Sequence, residues 1–338
     1  MKMKNWRLWI GILVSLVCLY LAARGIHFHS LLEALGQVQY LWLLPALGLL
    51  VFAMLARAYR WRLLLYSLSE LRIGRLFNLL NIGYLVNSVS PLRLGDVLRA
   101  YLCAELHRLS VVRAFSTVAV ERIVDTLTIV FLLLLLIPFV SLPAGLARPA
   151  FGVGLVAIGA VLILFFVVSR REQSLALFDR LAARFGFLVW EPFRRSVVSA
   201  VDGLTVLRSW QSMVGVGMGS LAAWLSTALQ FYVVMQAMGL RLPFTAALLV
   251  LCLTSLGMVV PSSPGYIGVF EYLTVVSLAL FGVSREAALG YAFVVHALGY
   301  LAPVVLGGIA IWIEGYSYAR LRHVLAQAGS NLLRHNTS

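Results

Sequence analysis

The chain has 338 residues, 62% of them hydrophobic and only 12% charged, with 27 Lys and Arg against 13 Asp and Glu for a net charge of +14. Soluble domains are about a quarter charged, so a soluble enzyme, a secreted disulfide scaffold, a disordered chain and a coiled coil are excluded. What remains is a polytopic membrane protein, helical rather than a barrel because its apolar runs are unbroken.

A basic start, Met1 to Arg7, leads into an apolar run from Leu8 to Ala23. Leu21-Ala22-Ala23 is only faintly like a cleavage site, so the run is expected to stay as a first helix. A polar outer loop with Arg24, His27, His29 and Glu33 follows. A second span runs from Tyr40 to about Leu65 and carries Arg57, Arg60 and Arg62 near its end, where snorkelling to the interface is one reading. Between Leu76 and Leu106 two short apolar arms flank Ser88-Val-Ser-Pro-Leu-Arg-Leu-Gly-Asp96, and neither arm reaches the roughly 20 residues of a full crossing. The next spans are Ala114–Phe139, with Glu121, Arg122 and Asp125 inside it, and Phe151–Ser169. Residues 170–209 are Arg-rich with recurring apolar positions, the pattern of amphipathic helices lying on anionic lipid. After the span Met213–Met238, two short arms recur from Ala246 to Phe281 around Pro261-Ser-Ser-Pro-Gly-Tyr-Ile-Gly268. A last span, Ala287–Ile313, ends in a basic tail.

The two breaks align. Ser90-Pro91-x-x-x-Gly95 and Ser263-Pro264-x-x-x-Gly268 stand 173 residues apart, and Leu109-Ser110 and Val283-Ser284 stand 174 apart, which sets Arg122 against His296. Span, hairpin and span therefore occur twice. With the N-terminus in the cytoplasm, most arginines collect inside. The first hairpin then opens from the cytoplasm and the second from outside, an inverted repeat of the kind transporters use. The expected fold is an all-α polytopic membrane protein of about six spanning helices plus two re-entrant hairpins, or about eight helices if the short arms cross. Its parts are 1–39 (first helix and outer loop), 40–140 (repeat 1), 141–211 (connecting helix and amphipathic segment), 212–313 (repeat 2) and 314–338 (tail). Both termini and residues 170–209 are expected in the cytoplasm, in a bacterial plasma or inner membrane.

At each break Ser is expected as N-cap and Pro as the first helical residue, which starts a helix at membrane depth with its free N–H groups pointing inward. Charges at that depth are functional candidates by default, against the alternative of a buried salt-bridge network. The pairs Glu121–Asp125 and Asp96–Arg99 share helix faces at i, i+4 and i, i+3. The candidate substrate-binding set is Arg57, Asn87, Ser90, Arg93, Asp96, Arg99, Glu121, Arg122, Asp125, Ser263, Pro264, Gly265, Tyr266, Glu271 and His296. Within it, Arg93 and Arg99 are expected to grip a lipid phosphate bidentately, with Glu271 holding them when no lipid is bound or accepting a cationic head group. His296 reads equally as a packing residue. No catalytic residue, metal or cofactor is expected. Lys2 and Lys4 are the only lysines, so no Gly-x-x-x-x-Gly-Lys loop for ATP exists. Cys18, Cys103 and Cys252 stand singly in apolar runs and make no metal or disulfide pattern.

Arg57-x-x-Arg60-Trp61, Pro91-x-Arg93-x-Gly95-Asp96-x-x-Arg99, Glu121-Arg122-x-x-Asp125 and Pro261-x-x-Pro264-Gly265-x-x-Gly268-x-x-Glu271 resemble the lysylphosphatidylglycerol synthase transmembrane-region family, also called flippase-like or YbhN-like. The family motif usually has Glu where this chain has Asp96. The resemblance implies translocation of a phospholipid or polyprenyl-linked lipid between leaflets. In the synthases an aminoacyl-transferase domain follows; here the chain stops at Ser338, and synthase activity is not implied. The expected partners are membrane lipids, a lipid-synthesising enzyme and a second copy of the chain; nucleic acid is not expected. The alternatives are a membrane enzyme of lipid or glycolipid modification, with Asp96, Glu121 and Asp125 as metal ligands, and a non-transporting scaffold for such an enzyme.

Overall fold

The computed structural model describes residues 6–65, 72–90, 94–107, 109–140, 170–184, 209–258 and 263–317, with isolated positions between 152 and 201. Among them every regular element is helical. In chain order these are α1 (Trp6–Ala23), α2 (Phe28–Gly36), α3 (Leu43–Leu64), α4 (Ile73–Val89), α5 (Leu94–His107), α6 (Val111–Leu136), α7 (Arg171–Arg184), α8 (Trp210–Ala237), α9 (Phe244–Gly257), α10 (Val269–Ala279) and α11 (Arg285–Ile313). A one-turn 3-10 helix, Pro264–Tyr266, precedes α10.

Three stretches are long and apolar enough to cross a membrane: Tyr40–Leu64, Trp210–Ala237 and Arg285–Ile313. The pair formed by α1 and α2, bent by 85°, makes a fourth if it counts as one span. The count differs from the expected six for two reasons. The 151–169 span lies largely outside the described residues. Helix α6 is long enough at 26 residues, but Glu121, Arg122 and Asp125 stand inside it, and it tolerates membrane depth only through internal pairing. Helix α2 also departs from expectation, since a polar loop was expected there. Phe28, Leu31, Leu32 and Leu35 recur at i, i+3, i+4 and i+7, and Leu31 is buried on the helix. Helix α7 falls within the Arg-rich segment, where Arg194 donates to Asp179 at 2.8 and 2.9 Å and these bonds hold the carboxyl below the usual range.

The most extensive packing is α3 along α8. Gly219 on α8 lets Arg60 of α3 lie close, since a side chain there would stand 3.2 Å from the Arg60 Cβ. Helix α4 packs on α5, α3 and α11, and α9 packs on α10, α8 and α6. Helices α5–α6 and α10–α11 complete each half. Ser110 and Ser284 cap α6 and α11 by accepting from Arg113 N–H and Ala287 N–H at 3.2 and 3.4 Å. Two apolar cores result. One, around Trp61, Leu79 and Leu98, sits between the first hairpin and α6; the other, around Met235, Leu251 and Leu289, sits among α8, α9 and α11.

At the second hairpin tip Ser263 and Pro264 open a 3-10 turn and not the long helix; the expected Ser90-Pro91 cap runs into residues outside the described ones. Ser263 precedes the 3-10 turn, and its hydroxyl donates to the Ile267 carbonyl at 3.1 Å. Helix α10 starts instead behind Gly268, whose N–H donates to Glu271 Oε2 at 2.6 Å. Ser90 closes α4 with extended backbone. The Gly95 N–H at the start of α5 donates to Asn87 Oδ1 at 2.8 Å, so Asn87 takes up one of the first N–H groups of the helix. Pro91, Arg93 and Pro261 lie outside the described residues.

Candidate functional site

Where the two hairpins meet α3, α6, α8 and α11, the bundle forms a half-open cavity of about 320 Å³. Of the expected site residues, Arg57, Asn87, Asp96, Arg122, Asp125, Gly265, Tyr266 and His296 line it. Arg99, Glu121 and Glu271 are buried behind its wall. Ser90, Ser263 and Pro264 sit at the breaks and do not line it, and Arg93 lies outside the described residues.

One wall is an ion-pair network. Arg60 Nη1 donates to Asp125 Oδ1 at 2.5 Å and Nη2 to Oδ2 at 3.2 Å, and Nη2 stands 3.2 Å from Glu121 Oε1. Glu121 also accepts from Arg99 and Arg122, each at 3.1 Å. Asp96 pairs with Arg99 at 3.2 Å and Arg122 at 3.6 Å. Trp61 stacks on the Arg99 guanidinium at 4.9 Å, and Trp224 N–H donates to Asp125 at 2.8 Å. Three arginines thus meet three carboxylates, and the charges cancel. Burial at such depth requires this pairing, because an unpaired ion loses its hydration without return. The same geometry occupies the carboxylates with guanidinium groups and leaves them poorly set up as a metal site. It also gives Arg99 a structural post: it is fully buried and bonded to Glu121, not facing the cavity.

Arg57, one helical turn before Arg60, is different. It faces the cavity, lies 5.1 Å over the Trp224 ring and donates to Thr227 Oγ1 at 3.4 Å. No carboxylate among the described residues stands within ion-pair distance of it. Among the described residues lining the cavity it is therefore the cation left over once the network has balanced itself.

The opposite wall is the second break. His296 Nδ1 stands 2.5 Å from Glu271 Oε1 and Nε2 stands 2.8 Å from the Gly265 carbonyl. Tyr300 OH donates to the Ser88 carbonyl at 3.0 Å, joining this wall to the end of α4. Gly265 has φ +73, and an added side chain would stand 2.9 Å from the Tyr300 ring, so any substitution there strains the turn as well as filling the cavity. The expected pairing of Glu271 with Arg99 is not what the structure brings together: Glu271 meets His296, and Arg99 meets Asp96 and Glu121; the expected pairing with Arg93 falls outside the described residues.

Sequence reasoning passed over the α8 face. Ser220, Trp224, Thr227 and Gln230 recur at i, i+4, i+7 and i+10. That polar stripe on an otherwise apolar helix was the signal. Ser220 accepts from Arg60 at 2.9 Å, and the other three line the cavity.

The lysylphosphatidylglycerol synthase TM region matches residues 8–307. Among curated relatives, the glycosyltransferase AglD of Haloferax volcanii is 26% identical over 88% of this chain and 53% of its own length. The chain therefore spans about half of that relative. A UPF0104 membrane protein of Methanothermobacter thermautotrophicus is 23% identical over 84% of the chain and 89% of its own length. Another, of Methanocaldococcus jannaschii, is 20% identical over 93% and 96% respectively. With a match that runs through both hairpins and every residue lining the cavity, the chain belongs to the lysylphosphatidylglycerol synthase TM-region family of membrane proteins.

Proposed function

We propose that this protein is a transporter, not an enzyme, that carries a lipid with an anionic head group between leaflets, the head group passing through the cavity while the tails stay in the bilayer. The observation that carries the reading is Arg57, a guanidinium with no ion-pair partner among the described residues, facing a largely apolar cavity. A phosphate satisfies its fork bidentately, and low polarity around it strengthens the bond. This puts Arg57 in the place expected of Arg99 in the phosphate grip, while the part expected of Arg93 lies outside the described residues. The relative named as a glycosyltransferase supports a sugar-bearing lipid as one member of the substrate class. It also favours the second reading, a membrane partner for a glycolipid-modifying enzyme.

The packing supports the inverted-repeat reading. Exchanging α3–α6 for α8–α11 turns α4 on α11 into α9 on α6, α4 on α5 into α9 on α10, and α5 on α6 into α10 on α11, and all of these contacts exist. Each half also ties its second hairpin arm to its last helix through an acid: Asp96 to Arg122, and Glu271 to His296. The topology that follows has both termini and α7 in the cytoplasm and the Leu240–Pro243 loop outside. Single cysteines at Ala183 and Arg241 should label from opposite faces of intact cells; labelling from one face overturns the orientation.

The functional test is leaflet exchange of fluorescent phosphatidylglycerol in liposomes holding the purified protein. Wild type should accelerate exchange. Arg57→Gln should lower it by about tenfold or more, the equivalent of one charged hydrogen bond, while staying folded. Exchange by Arg57→Gln at the wild-type rate removes anion capture from the mechanism. No exchange by wild type favours the partner reading.

A further inference from the structure

His296 presents both ring nitrogens to oxygen acceptors. Nε2 faces the Gly265 carbonyl at 2.8 Å, which can only accept, so Nε2 must carry a hydrogen. Nδ1 faces Glu271 Oε1 at 2.5 Å, and Glu271 Oε2 is taken by the Gly268 N–H at 2.6 Å. A contact as short as the one at Nδ1 needs a proton between the two atoms, whether it belongs to an imidazolium or to a carboxylic acid. Either assignment gives the same count. The pair holds one proton more than a neutral imidazole beside a carboxylate would.

We propose that Glu271 and His296 form a proton-binding site that latches the 263–268 turn onto α11, so that access to the cavity from that side depends on one proton. With the proton present, His296 donates to Gly265 and is itself held by Glu271. Once the proton leaves for cavity solvent, the imidazole has a single N–H for two acceptors. It can hold Gly265 or Glu271, not both, and the turn loses a fastening. Glu271 remains a carboxylate bound by Gly268 N–H. The turn is also fastened by Tyr300 OH on the Ser88 carbonyl and by Ser263 N–H on Ser15 Oγ.

The surroundings suit a latch. Phe270 covers the imidazole at 4.7 Å between ring centroids, and Glu271 is 2% exposed. Yet His296 lines the cavity, which gives the proton a way out. The other charged or titratable groups around that cavity are Arg57 on α3, Tyr84 on α4, Asp96 on α5, Arg122 and Asp125 on α6, Tyr266 in the turn and Tyr300 on α11; α8 and α9 bring none. Asp96, Arg122 and Asp125 are engaged in the balanced network. Coupling of the latch to lipid movement rests on the transporter reading, whereas the latch itself does not.

The test therefore reads access, not transport. Ser88 lines the cavity behind the turn, and its hydroxyl bonds only its own helix, to the Tyr84 carbonyl at 3.0 Å. A Ser88→Cys protein with the native cysteines replaced is placed in nanodiscs and labelled with a maleimide. Rates are normalised to the same cysteine in denatured protein, which removes thiol ionisation. Labelling should rise by at least about fivefold from about pH 5.5 to about pH 8.5, within the tenfold per unit that one proton allows. Glu271→Gln should stay slow at about pH 8.5, without the wild-type rise: its carboxamide donates to Nδ1 and accepts from Gly268, so the latch closes without the extra proton. If that variant fails to fold, His296→Gln, which also removes the titrating pair, must be flat. Tyr266→Cys provides a second reporter in the turn itself. A flat wild-type profile, or either variant titrating like wild type, overturns the latch. Both results are independent of whether lipid is moved in liposomes.

Discussion

Replacing Glu121 with Ala should cost about 3–5 kcal/mol of stability, enough to prevent recovery of a monodisperse protein. The carboxylate is fully buried and accepts from Arg99 and Arg122, with Arg60 standing at 3.2 Å. Without it three guanidinium groups face two carboxylates, and one positive charge is stranded in the apolar interior. The count makes a second, sharper prediction. Leucine at both Glu121 and Arg99 restores the balance, with Arg60 and Arg122 against Asp96 and Asp125. The double variant should therefore be more stable than Glu121→Leu alone, an interaction of the sign expected when one partner of a buried pair is removed with the other. Arg57→Gln, a turn away from Arg60, should leave stability within about 0.5 kcal/mol, because it belongs to no ion pair. Thermal unfolding in detergent, followed by size exclusion, reads all four proteins. A Glu121→Ala protein as stable as wild type would mean that the network contributes nothing.

Gly95→Ala should be the most damaging single methyl group in the first hairpin. The added carbon would overlap the Gly83 carbonyl oxygen and stand 2.7 Å from Asn87 Oδ1. The first of these is backbone and cannot rotate away, so α4 and α5 must separate. Overpacking of this kind costs about 1–3 kcal/mol, and here it also displaces Asp96, the next residue, from Arg99 and Arg122. Gly48→Ala on α3 and Gly217→Ala on α8 are the controls. Nothing lies within 4 Å of the carbon they add, and each should be neutral or stabilise its helix by up to about 1 kcal/mol. A Gly95→Ala protein that unfolds with the controls would show that the two arms are not in contact there.

The sequence makes the hairpins legible through arm length and the spaced Ser-Pro pairs, and it makes the charges legible because Asp96, Glu121 and Asp125 interrupt apolar runs. It does not reveal which arginine is paired. Arg57 and Arg60 have the same local setting, and only the packing of α3 against α6, with Arg60 meeting Asp125 across 65 residues of chain, separates the structural cation from the one facing the cavity. The Ser263 cap was misjudged for a local reason: the Ile267 carbonyl competes for its hydroxyl, and a 3-10 turn forms where the helix was expected. The Glu271–His296 pair spans 25 residues and two helices, and the alignment of His296 with Arg122 hinted at a basic position without naming its acid.

Helix α1 is built into the second break. Its Ser15 hydroxyl accepts the Ser263 N–H at 2.8 Å, and its Ser15 carbonyl occupies the place a side chain on Gly268 would take. The helix is thus keyed into both ends of the turn that closes the cavity. A chimera carrying an unrelated hydrophobic leader in place of α1 would still insert, with every later helix in its proper orientation. It would nevertheless lose the footing of that turn. The N-terminal segment is in this sense a working component of the gate and not a replaceable anchor.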